Sequence, residues 1–293
     1  MTASIKNFDR VADRIRQHRQ ADTRPIIVVE GPSDYRFLRA GFDEEYALFP
    51  ANTRSIALEV TEQLTEWRLT NVACVVDRDF DGEVKDKEAV GVPVFAYENA
   101  DLEAMLSHMD AFSVMISEIG SEKKIKGLGG PARLAELVSA TAIPVARLRA
   151  ANCQNGWGLA FDEVDLASKI ALNDLTFNLR GYCTALRQKS PDSPPLATLI
   201  AVAEGLDPTV IESSCPRHSS PYYRGRDFLA VLGVALRQQA GSCQKAATDP
   251  EHLAGILRAT GCKAIKGSSW GKDLQRFMGD TSAPKKAKIP RPR

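Results

Sequence analysis

The sequence predicts an α/β fold, a mainly parallel sheet flanked by helices that continues into a mostly helical C-terminal extension. Three observations predict it. Short apolar runs without polar alternation, IIVV from Ile26, VACVV from Val72 and VPVFAY from Val92, have the pattern of strands buried on both faces. Stretches with helical spacing lie between them, which is the order of βαβ units. After about residue 110 the strand-like runs stop and helical periodicity takes over.

The elements follow in order. Residues 5–20 set Ile5, Phe8, Val11 (or Ala12) and Ile15 at helical spacing, an amphipathic opening helix with a polar outer face. Residues 25–30 are the first strand. A helix follows over 33–40, with Ser33 suited to its N-cap and Pro32 just before it. Residues 46–50 form a short strand, and 55–67 a helix with Ile56, Val60, Leu64 and Trp67 on one side. Residues 72–76 and 92–97 are the next strands. Beyond them, helices are predicted over 109–119, 131–140, 172–186, 195–204, 228–239 and 251–259. The segment SEKKIKGLGG, from Ser121, is read as a lysine- and glycine-rich loop. The expected organisation is an α/β domain over 1–110, a helical extension or second subdomain over 111–280, and a basic, disordered tail over 281–293.

Composition narrows the function. The 293 residues are 44% hydrophobic and 26% charged, enough apolar content for a substantial core and against a disordered chain. A net charge of +1 gives no global signature of polyanion binding but leaves room for a local basic groove. The six cysteines form no CxxC pair and no apolar leader precedes Ile26, so a reduced, cytoplasmic protein is expected. No run approaches the roughly 18 apolar residues of a membrane span. The tail PKKAKIPRPR carries five cations and no acid, and suits either holding a polyanion or solubilising the chain end.

Acids follow each strand. Glu30 ends the first; Asp77, Asp79 and Asp81 follow the second in VVDRDFDG; Glu98, Asp101 and Glu103 follow the third. Loops at the carboxyl ends of parallel strands share one edge, where ligand sites form. Crowded carboxylates repel and call for a cation, and hard oxygen ligands suit Mg²⁺ or Mn²⁺. Such an ion would neutralise a phosphate and activate water. Each acid also has a local use: Asp101 suits the N-cap of a helix holding Leu102, Met105 and Leu106, and Glu103 suits its first turn. DxDxDG follows a buried strand, without EF-hand helices on both sides, so it is not read as a calcium loop.

VVEGPSDYRFL followed by VVDRDFDG resembles the TOPRIM fold shared by topoisomerases, bacterial primases, small RNA-maturation nucleases and OLD-type nucleases. The resemblance covers roughly residues 24–110, with weaker similarity at YYRGRDFLAVL. It implies that Glu30, Asp77 and Asp79 form the metal and phosphodiester centre, with Asp81 as the extra acid of the longer motif. YENADLEAML resembles a further acidic motif of OLD-like members, which implies that Asp101 and Glu103 lie beside that centre. The chain is also similar to the TOPRIM effectors of PARIS-type anti-phage systems. That likeness implies nucleic acid as substrate, RNA such as tRNA before DNA, and an ABC- or SMC-like ATPase as partner. Homo-oligomer formation is compatible with it.

Missing features discriminate among the family's chemistries. The chain leaves little room for DNA-gating domains, and no paired cysteines suggest a primase zinc module. Mg²⁺-dependent hydrolysis needs neither. Lys123, Lys124 and Lys126 could contact phosphates or form a solvated loop. Arg224 and Arg226, behind Tyr222 and Tyr223, could bind backbone while the rings stack on bases. Arg226 takes the family's basic position, where a permanently charged guanidinium suits phosphate binding better than proton transfer. Asp227 suits a helix cap. Cys215 and His218 do not by themselves make a zinc site, and no GxxxxGK[ST] loop is present. Two function classes stay open: a metal-dependent endonuclease, and a non-cleaving partner that binds an ATPase or nucleic acid.

Overall fold

The computed structural model describes residues 10–210, 213–215 and 221–281. Residues 5–9 of the expected opening helix, His218 and the basic tail from residue 282 lie outside the described residues. The elements run α1 (Val11–His18), β1 (Ile26–Val29), α2 (Pro32–Gly41), β2 (Ala47–Pro50), α3 (Arg54–Glu66), β3 (Val72–Val76), α4 (Glu83–Ala89) and β4 (Val94–Ala96). They continue as α5 (Leu102–Ser107), α6 (Asp110–Ile119), α7 (Glu122–Leu128), α8 (Pro131–Asn155), α9 (Leu179–Lys189), α10 (Leu196–Ala203), α11 (Gly225–Gln238), α12 (Pro250–Ile265) and α13 (Ser269–Thr281). The fold is a mixed α/β fold with a small parallel sheet flanked by helices and a mostly helical C-terminal region. No described helix is long and apolar enough to cross a membrane.

The chain divides into two compact units. The first takes in Met1–Asp77, Gly82–Ala96 and Cys262–Arg293; the second takes in Arg78–Asp81 and Tyr97–Gly261. The division expected near residue 110 lies inside the second unit.

In the first unit the strands lie in the order β2-β1-β3-β4, all pairs parallel. Every residue of β1, β3 and β4 is buried, which is why these strands read as unbroken apolar runs. Side chains alternate between the two faces. Ile26, Val28, Val72, Cys74, Val76, Val94 and Ala96 join Ala12, Ile15, Ala57, Leu58 and Leu64 in one core on the face of α1 and α3. On the other face Phe95 packs against Trp270 and Phe277 of α13, at ring separations of 5.4 and 5.2 Å. Trp270 is 1% exposed and its Nε1–H donates to the Ala96 carbonyl at 3.3 Å. Edge strand β2 carries Pro50 without loss: Ala47 and Ala51 donate inward to Pro25 and Val29, so Pro50, between them in the alternation, turns its nitrogen to the open edge. One expected core residue is misplaced by the sequence. Ile56 is exposed, because α3 buries Ala57, Leu58, Val60, Thr61 and Leu64, a stripe rotated away from it.

The second unit is helical and built on α11 and α8. Phe228, Leu229, Val231, Leu232, Val234, Ala235 and Leu236 are all buried, the composition of a helix covered on most sides. α11 packs against α5, α8 and 3₁₀ turns at Leu166–Lys169 and Lys245–Thr248. α8 runs on to Asn155, well past the end predicted at 140, with Pro144 inside it. The proline removes one amide donor, but the Ala140 carbonyl left behind belongs to an exposed residue and can be hydrated. Meanwhile Val138, Ala142, Val145 and Leu148 keep one buried face continuous across it. The helix predicted from 172 begins at Leu179. Before it lie a turn with Leu175 at φ +60° and an isolated antiparallel bridge between Ile170 and Phe177, and Asn178 caps the helix by accepting from the Gly181 amide.

Candidate active site

In the first unit, Glu30 and Asp77 directly follow β1 and β3, two neighbouring strands. The register pairs Val29 with Val75, so one further step sets Glu30 level with Val76 and Asp77 just beyond it. Adjacent strands run about 4.8 Å apart, so both acids stand at one place on the carboxyl edge. That place is special in the topology. From β1 the chain crosses to β2 on one side, and from β3 to β4 on the other, so the connections diverge and leave a crevice between β1 and β3. Both residues are half-buried. Asp34, the other acid of the opening motif, is spent locally: its Oδ2 accepts the Gly31 amide at 3.1 Å and closes the first turn of α2, with Gly31 rather than Ser33 at the N-cap.

The remaining acids belong to the second unit. Arg78 and Asp79 both donate their amides to the Ala100 carbonyl, at 2.9 and 2.8 Å. Asp79 takes φ +50°, in the left-handed region that costs a non-glycine residue about 1 kcal/mol or more. Its carbonyl accepts the Tyr222 hydroxyl, and Phe80 meets the Tyr222 ring edge-on at 5.4 Å. Burial raises the pKa of that hydroxyl, so it remains a donor. Asp81 is exposed.

Asp101 caps α5, accepting the Ala104 amide at 2.8 Å, as its sequence position suggests. The same carboxylate also accepts the Gly225 amide, at 2.8 and 3.1 Å from its two oxygens. Burial pushes the Asp101 carboxyl upward, the Glu103 charge adds to this, and the two amides oppose it. Glu103 pairs with Arg258 of α12 at 2.5 Å. Asn99, fully buried at φ +73°, binds the 221–223 segment: Oδ1 accepts the amides of Ala100 and Tyr223, and Nδ2 donates to the Pro221 carbonyl.

The basic residues sort differently from expectation. Lys123, Lys124 and Lys126 stand on helix α7, not in a loop. Lys123 and Lys126 are exposed. Lys124 directs its ammonium at the Gln238 carbonyl (2.9 Å), the Gly241 carbonyl (2.5 Å) and Ser242 Oγ (3.0 Å). All three donors are used at the C-terminal end of α11, where the carbonyls lack helical partners. Replacing Lys124 with Met is therefore expected to lower the urea unfolding free energy by about 1–2 kcal/mol. Its apparent affinity for tRNA, measured by filter binding, should stay within twofold of wild type. Arg224 reaches Asp162 at 3.4 Å, and Arg226 is exposed. Tyr223 does not face outward to stack on bases. It is 1% exposed, stacked on Phe228 at 5.1 Å and bonded to Ser107. Asp227 does not cap α11; it accepts two hydrogen bonds from Arg149.

Among the described residues no three His, Cys, Asp or Glu side chains converge as a ready-made metal site. Mg²⁺ does not demand one. It retains several waters and is held by one or two carboxylates together with substrate phosphates, so a donor pair such as Glu30 and Asp77 fits its chemistry. Tyr222, Asn99 and Arg258 have no local signal in the sequence, because each acts on a residue more than a hundred positions away. No family model matches the chain, and no curated protein matches it.

Proposed function

We propose that this chain is a Mg²⁺-dependent phosphodiesterase of the TOPRIM type that cleaves nucleic acid, RNA such as tRNA ahead of DNA. The observation that supports it is the placement of Glu30 and Asp77 side by side at the crevice where the strand order reverses. Two half-buried carboxylates at such an edge are the hard oxygen donors that Mg²⁺ takes. A divalent ion bound there would neutralise charge on the scissile phosphate. Glu30 and Asp77 would hold the ion, which would supply an activated water for attack on phosphorus. Exposed Lys123, Lys126 and Arg226 supply charge for the polyanion. The likeness to PARIS-type effectors extends the proposal to an anti-phage role released or restrained by an ATPase partner.

The test compares wild type with Glu30→Gln and Asp77→Asn on mixed tRNA and plasmid DNA, with Mg²⁺ or Mn²⁺ and with EDTA. Each variant is expected to lose about a hundredfold or more of the cleavage rate, the scale of removing one charged group from a reacting centre. Urea midpoints of all three proteins in EDTA separate a lost reacting group from lost folding. Equal cleavage by all three proteins would remove the site. Metal binding without cleavage would select the non-cleaving role.

A further inference from the structure

We propose that the second unit carries a nucleobase site, a cavity between α6 and the first turns of α8 that takes a guanine base. The cavity measures about 310 Å³, at the low end of small-molecule sites (roughly 300–1,000 Å³), which fits one base and its sugar. It is lined by His108, Asp110, Phe112, Ser113, Glu136 and Tyr223 among others, all within that unit. One wall is a stack of rings. Tyr223 lies against Phe228 at 5.1 Å with the planes 9° apart, and His108 lies against Tyr223 at 5.4 Å and 26°. Phe228 and Tyr223 are buried and His108 is exposed, so the stack ends in an accessible imidazole. The imidazole is fixed in advance. Asn99 Oδ1 accepts two amides, so its Nδ2 is the donor facing His108 Nε2 at 3.2 Å, which assigns the ring proton to Nδ1. A base laid on this ring gains the stacking that aromatic platforms give to nucleobases, with little ordering cost left.

The polar lining selects the base. Asp110 and Glu136 bring carboxylates, which when ionised only accept hydrogen bonds. Glu136 is already paired with Arg133 at 2.7 Å. Asp110 is exposed and has no side-chain partner among the described residues. Its place at the first residue of α6 favours the charged form. An ionised carboxylate takes two parallel hydrogen bonds from neighbouring donors. Guanine presents such a pair on one edge, N1–H and the N2 amino group. Adenine and cytosine set an acceptor nitrogen beside their amino group, and uracil flanks its N–H with carbonyls, so each turns a repelling atom to the carboxylate. An alkylamine would satisfy Asp110 but leave the imidazole face unused. The two acids also repel phosphate, so the sugar–phosphate side of the ligand faces outward. A free guanine nucleotide and an unpaired guanosine of RNA share this chemistry, and the RNA source rests on the nucleic-acid function proposed above.

The experiment uses the full chain in EDTA, where metal-dependent cleavage is silent, and measures binding by calorimetry and folding by the urea midpoint. The probes are guanosine, inosine, adenosine and spermidine, with a short single-stranded RNA holding one guanosine and its counterpart with adenosine there. Wild type is expected to bind guanosine about tenfold more tightly than adenosine, the scale of one bidentate contact to a base edge. Inosine, which lacks the N2 amino group, should fall between them. Asp110→Asn should erase this preference or turn it toward adenosine, because an amide donates as well as accepts. His108→Ala should weaken both nucleosides about tenfold, and His108→Phe should restore them, since stacking needs only a ring. A folded wild type that binds no nucleoside at millimolar concentration would overturn the site. So would a guanosine-to-adenosine ratio unchanged in Asp110→Asn, or spermidine bound more tightly than guanosine. RNA binding that depends on its guanosine supports the RNA source; guanosine binding with RNA indifferent to the exchange assigns the site to free guanine nucleotides. Cleavage in Mg²⁺ by a protein that binds no guanosine overturns this inference alone. Guanosine binding without cleavage leaves it standing beside the non-cleaving role.

Discussion

Gly225→Ala is expected to destabilise the protein by about 3–5 kcal/mol, although at the first residue of a helix the same change ordinarily gains a few tenths to about 1 kcal/mol. The two effects have opposite signs, and geometry decides between them. A Cβ built on Gly225 would lie 2.4 Å from Glu103 Cβ, 2.5 Å from Asp101 Oδ1 and 2.6 Å from the Ala104 amide nitrogen. None of these atoms is the free end of a flexible side chain; they belong to the first turn of α5 and its cap. Relief requires α11 to move off α5, which costs about 1–3 kcal/mol as overpacking. The movement also stretches the Gly225 amide away from Asp101. That carboxylate is 6% exposed, and losing a charge-assisted donor there adds about 1.5–3 kcal/mol. Urea unfolding measures the sum, with exposed Arg226→Ala as the neighbouring control, expected within about 0.5 kcal/mol of wild type. A Gly225→Ala protein within 1 kcal/mol of wild type would show that α5 and α11 are not held this closely.

The same contact explains what a sequence can carry about this site. Glu30 and Asp77 were legible because a parallel strand buried on both faces leaves an unbroken apolar run, and the residue that ends it must stand at the carboxyl edge. Asp101 was legible as a cap because capping is a relation among four consecutive residues. The rest of its surroundings was not, since the Gly225 amide that completes its coordination lies 124 residues on. Lys124 illustrates the reverse error. A lysine among glycines suggests a loop facing phosphate, but helix α7 forms there, and its ammonium is consumed by carbonyls 114 and 117 residues away. Helix α13 escaped detection for a simpler reason. Its buried Trp270, Leu274 and Met278 recur every fourth residue, but polar and glycine neighbours dilute the apolar stripe. Local periodicity thus located the sheet and its acidic edge, while the tertiary pairings that tune each acid left no trace in spacing.

Asp227 provides the sharpest case, and the second large effect. Arg149 in α8 donates to it twice, Nε to Oδ2 at 2.7 Å and Nη2 to Oδ1 at 2.9 Å, with side chains only 12% and 8% exposed. The guanidinium also lies 4.3 Å above the Phe161 ring. Asp227→Leu and Arg149→Met should each cost about 3–5 kcal/mol, because each strands its partner's charge in the interior. The double variant should be less destabilised than either single one, since no unpaired charge then remains and two desolvation penalties vanish. Raising NaCl to 0.5 M should leave the wild-type pair's contribution nearly unchanged, as buried charges are little screened. Additive losses in the double-mutant cycle would mean that the pair is wet and weak. If the cycle is strongly non-additive, then the aspartate of the RGRD segment serves to lock α11 onto α8. Its neighbours Gly225 and Tyr222 can then meet the acids of the 78–81 and 99–103 segments only because that lock holds.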